Sequence, residues 1–312
     1  MEHISVLLDE SIDMLQVKPD GIYVDCTLGR GGHSSKILEK LTTGRLIAFD
    51  LDQNAIDESR KRLEAISDRF TLVHAPFEQL DEKLDELGIG QVDGILMDLG
   101  VSSPQFDDPD RGFSYRFDAP LDMRMDQTQS LDAKTIVNTY SKEELYRILK
   151  EYGEEPNASR IVSGILKARE NGPIETTFQL VDIIKDSLPA AVLKKKGHPA
   201  KQTFQALRIE VNQELPQLRR TLEEGLDRLA CGGRMAVITF HSLEDRIVKQ
   251  AFSARAKPPK TNRRIPEAGT PKLEYRLINR KPILASAAEL EDNNRAHSAK
   301  LRGVERIEDC SS

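Results

Sequence analysis

Short apolar runs recur through the first hundred residues, each followed by a longer charged segment whose apolar positions return every three or four residues. Ile22-Tyr23-Val24-Asp25 follows the Pro19-Asp20-Gly21 turn and reads as a strand, with a Gly-rich loop and a helix over 33–41 behind it. Strands over 45–50, 70–74 and 92–99 and helices over 53–65 and 77–87 continue the alternation. Runs of this length joined by helices are what right-handed β-α-β crossovers produce, so a parallel, doubly wound sheet is the expected fold. The rhythm breaks after Ser102. Residues 103–126 carry turn residues and charges without a period, and helices follow over 158–170 and 177–188. A further helix opens on Ser141-Lys142-Glu143-Glu144, the pattern of a capping box. Helices over 202–211 and 217–229, stopped by Gly232-Gly233, lead to an apolar strand over 235–240. Stretches over 273–278 and 297–307 have strand character and suit a closing antiparallel hairpin. The division expected is a discontinuous sheet domain, 1–105 with 201–312, and an inserted, mostly helical domain over 106–200.

Composition changes this picture little. The chain has 312 residues, 38% hydrophobic and 31% charged, which suits globular domains, and no apolar run is long enough to span a membrane. The first fifteen residues hold Glu2, Asp9, Glu10 and Asp13 but no Lys or Arg, unlike a leader peptide. Cys26, Cys231 and Cys310 are too few and too scattered for a disulfide framework or zinc knuckle, which fits a reducing cytoplasm.

Charge matters more. The net charge of −6 conceals a split: residues 1–110 hold 10 basic and 23 acidic side chains, the remainder 35 and 28. Nine basic residues crowd positions 254–281, and Lys194-Lys195-Lys196 adds a second run. Each is either an RNA-backbone contact or a solvated loop.

The chemistry concentrates in Asp25-Cys26-Thr27-Leu28-Gly29-Arg30-Gly31-Gly32-His33, between the first strand and its helix. Glycines there admit a ligand close to the backbone, and the helix points free N–H groups into the same crevice. Asp50 ends the second strand, where a carboxylate can accept from both hydroxyls of an adenosine ribose. The dinucleotide fingerprint fails at Ser34, whereas Asp-x-Thr-x-Gly-x-Gly suits the first motif of S-adenosylmethionine (SAM) binders. An acidic face also suits a sulfonium cation better than a pyrophosphate. SAM is therefore preferred to a nicotinamide cofactor.

Asp98 ends the fourth strand, before Leu99-Gly100-Val101-Ser102-Ser103-Pro104-Gln105, a loose counterpart of the acid-proline-proline-aromatic motif of amino-methylating enzymes. An exocyclic amine on a base is a poor nucleophile, because its lone pair is conjugated with the ring. A carboxylate accepting one N–H draws that pair out of conjugation. Asp98 does this or holds the cofactor's amino-acid end. His241 orients the target base or caps the next helix. Asp122, in Asp122-Met123-Arg124-Met125-Asp126, accepts from the amine or belongs to a salt-bridged lid loop. The histidines show no metal-ligand spacing, so no metal is expected.

Eight separated stretches give the chain a resemblance to one family. They are His3 to Glu10, Asp25 to Ser34, Asp93 to Gln105, Arg111-Gly112-Phe113-Ser114, Pro120 to Asp126, Tyr152-Gly153-Glu154-Glu155, Phe204 to Ile209 and Phe240 to Arg246. In order and spacing they are similar to the RsmH (MraW) family of bacterial 16S ribosomal RNA cytosine-N4 methyltransferases. The resemblance implies a class I SAM-dependent, Rossmann-like fold with an inserted helical domain for RNA. The implied substrate is a cytidine of the decoding centre, in 16S ribosomal RNA within the small ribosomal subunit. Carried over by position, cofactor contacts fall on Gly31, Gly32, His33, Asp50, Phe77, Asp98 and Gln105, and Asp98, Asp122 and His241 are the catalytic candidates. Cys26 departs from the family, which often has glycine there. Oligomeric state is left open, a homodimer included. Two other classes of protein fit parts of the pattern: a nicotinamide oxidoreductase and a non-catalytic RNA-binding assembly factor.

Overall fold

A computed structural model describes residues 5–100, 108–257 and 273–307. The chain divides into two compact units, one of residues 1–100 and 215–312, the other of 101–214.

In the first unit, α1 (Leu8–Leu15) precedes a β-α succession: β1 (Ile22–Asp25), α2 (Gly32–Lys40), β2 (Arg45–Asp50), α3 (Gln53–Glu64), β3 (Phe70–His74), α4 (Leu80–Glu86) and β4 (Val92–Asp98). The strand boundaries follow the apolar runs almost residue for residue. A seven-stranded sheet in the order β3-β2-β1-β4-β5-β7-β6 is completed by β5 (Leu229–Thr239), β6 (Tyr275–Leu277) and β7 (Lys300–Arg306). Strands β1 to β5 pair in parallel, while β7 runs antiparallel to both β5 and β6. The fold is that of class I SAM-dependent methyltransferases, as the sequence predicts.

Alternate strand residues face opposite layers. Tyr23, Leu46, Ala48, Leu96, Ala236 and Ile238 pack in one core with apolar residues of α1, α2 and α3. On the other face, α11 (Glu214–Arg228) comes so close that a Cβ on Gly225 would lie 2.8 Å from Met235 Cε and 3.2 Å from Ile95 Cδ1. Arg228 ties α11 to α4 through Asp81 and through Asp85, the latter at 2.6 Å. Helix α12 (Ser242–Ala256) follows β5, and α13 (Ala287–Asp292) lies between β6 and β7 in sequence.

One expectation fails at β5. The pair Gly232-Gly233 does not stop a helix but lies inside the strand, which begins at Leu229 directly after α11. Gly232 has φ +72°, and the pairing register with β4 shifts between Val92 and Gly94. Glycine in the left-handed region at such an irregularity is the signature of a β-bulge.

The second unit holds α5 (Ala133–Thr139), α6 (Lys142–Glu151), α7 (Ala158–Arg169), α8 (Thr177–Ser187), α9 (Ala190–Leu193) and α10 (Lys201–Asn212). The capping box forms: Ser141 Oγ accepts from Glu144 N, and Glu144 Oε2 accepts from Ser141 N at 2.8 Å. The sequence reading places α10 in the sheet domain. Its Phe204, Ala206, Leu207 and Val211 instead share a core with Leu145, Leu149, Ile161 and Leu180 of the helical unit. Periodicity names the buried face of a helix but not the core that receives it. Among the described residues, no helix is long and apolar enough to cross a membrane.

Candidate active site

The carboxyl ends of β1, β2 and β4 lie side by side, since Asp25 pairs with Ala48 and Leu96 across the sheet. Each of these strands ends in an aspartate, and the three differ in what already holds them. Asp25 is buried and engaged within its own loop. Its Oδ1 accepts from Thr27 N at 3.0 Å and its Oδ2 from Ser34 Oγ at 2.7 Å. Its part is to fix the glycine loop.

That loop is shaped by backbone only glycine adopts cheaply. Gly29 and Gly31 have φ of +50° and +72°. Ser59 Oγ donates to Gly29 O at 2.8 Å, and a Cβ on Gly31 would press on that same hydroxyl at 3.2 Å. A Cβ on Gly32 would collide with Ser5 Oγ. Helix α2 starts at Gly32, so its first N–H groups have no partner within the helix. His33 is buried, and its Nε2 donates to Val6 O at 3.1 Å, which ties the loop to the N-terminal segment.

Asp50 is engaged but retains accepting capacity. Its Oδ2 takes Gly29 N and its Oδ1 takes Asp52 N, both at 2.8 Å. Burial is the largest influence and raises its pKa to about 6, against the two backbone hydrogen bonds, which lower it. A carboxylate oxygen carries two lone pairs, so a diol still finds acceptors here.

Asp98 is the exception. Its backbone N donates to Thr27 Oγ1 at 2.7 Å, and its Oδ1 is buried with no hydrogen-bond partner among the described residues. Burial pushes its carboxyl up from the ordinary range, His33 and Arg295 oppose that, and Asp25 and Glu244 add to it. A buried acceptor left unpaired is costly and calls for a donor. Arg295, whose guanidinium lies 5.3 Å from the centroid of the Phe240 ring, has no local signature in the sequence.

Cys26 is free and buried, and burial holds its thiol well above the usual range. It therefore fits the loop as a small apolar group and resists oxidation.

Phe77 opens a turn of 3-10 helix after β3, half-buried, and its carbonyl accepts from Thr221 Oγ1 at 3.4 Å. His241 lies two residues after β5, as the N-cap of α12. Its Nδ1 accepts from Glu244 N at 3.5 Å, while Glu244 Oε2 accepts from His241 N at 3.3 Å. Gln105 lies outside the described residues, as do His3 and, within the 254–281 block, Lys260, Arg263, Arg264 and Lys272.

In the second unit, Asp122 is saturated. Arg124 donates to its Oδ1 from the backbone N and from Nε, both at 2.9 Å, and to its Oδ2 from Nη2 at 2.8 Å. Burial would raise this carboxyl, but the bonds and charge of Arg124 prevail and hold it below the usual range. Arg124 Nη1 donates to Gln127 O and Gln129 O, so most of its fork is committed. Asn212 clamps the same loop, accepting from Met125 N at 2.7 Å and donating to Met123 O at 2.8 Å.

A family model for the "MraW methylase family" matches residues 1–307. The chain belongs to the MraW methylase family. It is 54% identical over 311 residues to a curated protein of Exiguobacterium sibiricum named ribosomal RNA small subunit methyltransferase H, covering 99% of each chain. Among solved structures it is similar to an rRNA methylase from Streptococcus thermophilus (13% identity, TM-score 0.44, 98% of this chain and 100% of that one). It is also similar to a Streptococcus mutans protein solved with SAH (13% identity, TM-score 0.42, 98% and 100%). The family assignment rests on the sequence matches alone. For a methylase of this fold, the corner fits SAM: Asp50 offers acceptors for a ribose, and Asp98 offers a buried, unpaired one beside a glycine loop without Cβ atoms.

Proposed function

We propose that the chain transfers the methyl group of SAM to the exocyclic N4 amine of a cytidine in small-subunit ribosomal RNA, in the decoding centre. The observation that carries the chemistry is the unpartnered Oδ1 of Asp98 at the end of β4. The kind of RNA is carried by the relative named as a ribosomal RNA small subunit methyltransferase. SAM supplies an electrophilic methyl group on a sulfonium. Asp50 holds the ribose through its hydroxyls, the first turn of α2 presents N–H donors, and Phe77 offers an apolar ring to the adenine. Gly31, Gly32 and His33 shape the loop that receives the cofactor, and Gln105 completes the set toward its methionine end.

Asp98 accepts an N–H from an amine. If that amine is N4 of cytosine, the carboxylate draws the nitrogen lone pair out of conjugation and orients it; the proton released on transfer leaves to solvent or to Asp98. The base must be unstacked to reach such a pocket. His241 and Asp122 are the secondary candidates, and their own bonds favour capping and loop-holding roles.

The test is incorporation of labelled methyl groups from SAM into isolated small subunits lacking the modification, followed by nucleoside analysis. N4-methylcytidine at one position is the expected product. No incorporation overturns the enzymatic reading in favour of an assembly factor, and another methylated nucleoside overturns the N4 assignment. Protection against thermal unfolding by SAM rather than NAD separates the cofactors.

A further inference from the structure

A second hollow, of about 510 Å³, opens between one face of α12 and the edge strand β6, and none of the aspartates described above lines it. That volume is typical of small-molecule pockets. Its floor is apolar: Phe252 and Tyr275 are each 1% exposed, and Leu277 is half-buried. Around it stand Lys249, Lys257, Arg276 and Arg280, all exposed, and among the described residues no Asp or Glu lines it.

Among the described residues, one of these four cations is paired and three are not. Arg276 is paired with Glu305 at 3.0 Å. Lys249, Lys257 and the guanidinium of Arg280 have no carboxylate partner among the described residues. Three unpaired positive charges around one concavity repel one another, and an anion seated there relieves that repulsion. An apolar floor with an aromatic ring beneath a cationic rim suits a group with a flat, weakly polar body and a charged end.

We infer that this hollow binds one phosphate-bearing nucleotide of the RNA substrate, with the phosphate on Lys249, Lys257 and Arg280 and the base or ribose over the apolar floor at Leu277. The site adds RNA affinity without touching the reacting atoms. The inference rests on the reading of the chain as an RNA methyltransferase.

The test compares wild type with the K249E/K257E/R280E variant and with Ser253→Trp, which fills the hollow without changing charge. RNA affinity is read by anisotropy on a labelled small-subunit RNA fragment, and transfer is read on isolated small subunits. In the charge variant, KM for the subunit is expected to rise about tenfold, with kcat and SAM affinity unchanged. The slope of log affinity against log salt should fall by about 0.7, the loss expected for one single-strand phosphate contact. Ser253→Trp should raise KM severalfold and leave the salt slope nearly intact. Unchanged RNA affinity and KM in the charge variant overturn the inference while wild-type transfer stands. A loss in the charge variant with none in Ser253→Trp also overturns it, because a diffuse basic surface then suffices. Failure of wild type to methylate subunits overturns the enzymatic reading instead, and the anisotropy still decides the hollow.

Discussion

Asp98 and Asp122 stand in similar sequence settings, each an acid followed within a few residues by turn-forming or charged neighbours, and each is a candidate acceptor for a cytosine amine. Their surroundings are opposite. Asp122 receives three hydrogen bonds from Arg124, and its carboxyl is held below the ordinary range. Asp98 is only partly buried as a residue, but its Oδ1 is buried and unpaired among the described residues, and burial pushes its carboxyl up. A carboxylate satisfied by its own chain has little left to offer a ligand. One that folding leaves buried and unsatisfied is stable only because the rest of the fold holds it there, and it gains most when a donor arrives.

The sharpest way to break this contrast is Asp98→Ala. Single-turnover methyl transfer should fall about a hundred- to a thousandfold, the range for removing one oriented electrostatic partner of a transition state. Titration calorimetry with SAM then divides the two roles. Unchanged affinity places the target amine on Asp98, and a parallel loss of affinity places the cofactor's amino group there. Turnover within twofold of wild type would remove Asp98 from the mechanism.

Asp50 gives the next effect, through pH. Its folded pKa of about 6 lies above its ordinary value of 3.8. The protonated form is thus favoured in the fold, a stabilisation complete below the ordinary value and lost as pH rises through about 6. Ribose hydroxyls need the ionised carboxylate as acceptor, so binding runs the other way. SAM affinity should weaken as pH falls below 6, approaching about tenfold per unit if only the ionised form binds. Asp50→Asn should weaken binding at pH 8 by about tenfold, the loss of roughly one charge-assisted hydrogen bond, and flatten the profile. An equally steep acid limb in that variant would assign the titration elsewhere.

Why the sequence announces one half of this site better than the other follows from range. Strands β1 to β4 and the glycine loop are legible because apolar runs bounded by turns, and Gly29 and Gly31 where φ must be positive, are local requirements. The start of β5 is not: a glycine pair after a helix reads as a stop, and only pairing with β4 reveals the bulge at Gly232. The saturation of Asp122 is half legible, since Arg124 sits two residues away, but the Asn212 clamp comes from 87 residues along the chain. The orphaned oxygen of Asp98 has no local signal at all. Enclosure is produced by packing among distant segments, as the influence of Arg295 on it also shows.

Asp122→Ala tests the other side of the contrast. It should leave methyl transfer within about threefold of wild type while lowering stability by about 1 kcal/mol, the low end for losing a partly solvated hydrogen-bonded charge. That corresponds to a Tm lower by about 2–4 °C. A thousandfold loss of transfer at unchanged Tm would make Asp122 the acceptor after all.

His241 should show the smallest effect, and the most diagnostic substitution is the mild one. As the N-cap of α12 its ring accepts from Glu244 N, a task asparagine performs at least as well. His241→Asn should therefore keep both Tm and transfer near wild type. His241→Ala should lose about 1 kcal/mol, as N-cap removal does, and transfer should change less than twofold. If capping is the whole role, the two variants separate in thermal unfolding and coincide in kinetics. If the ring instead orients the base, both raise KM for the small subunit alike, because neither retains an imidazole, and His241 joins Asp98 on the side of groups that folding leaves for a ligand.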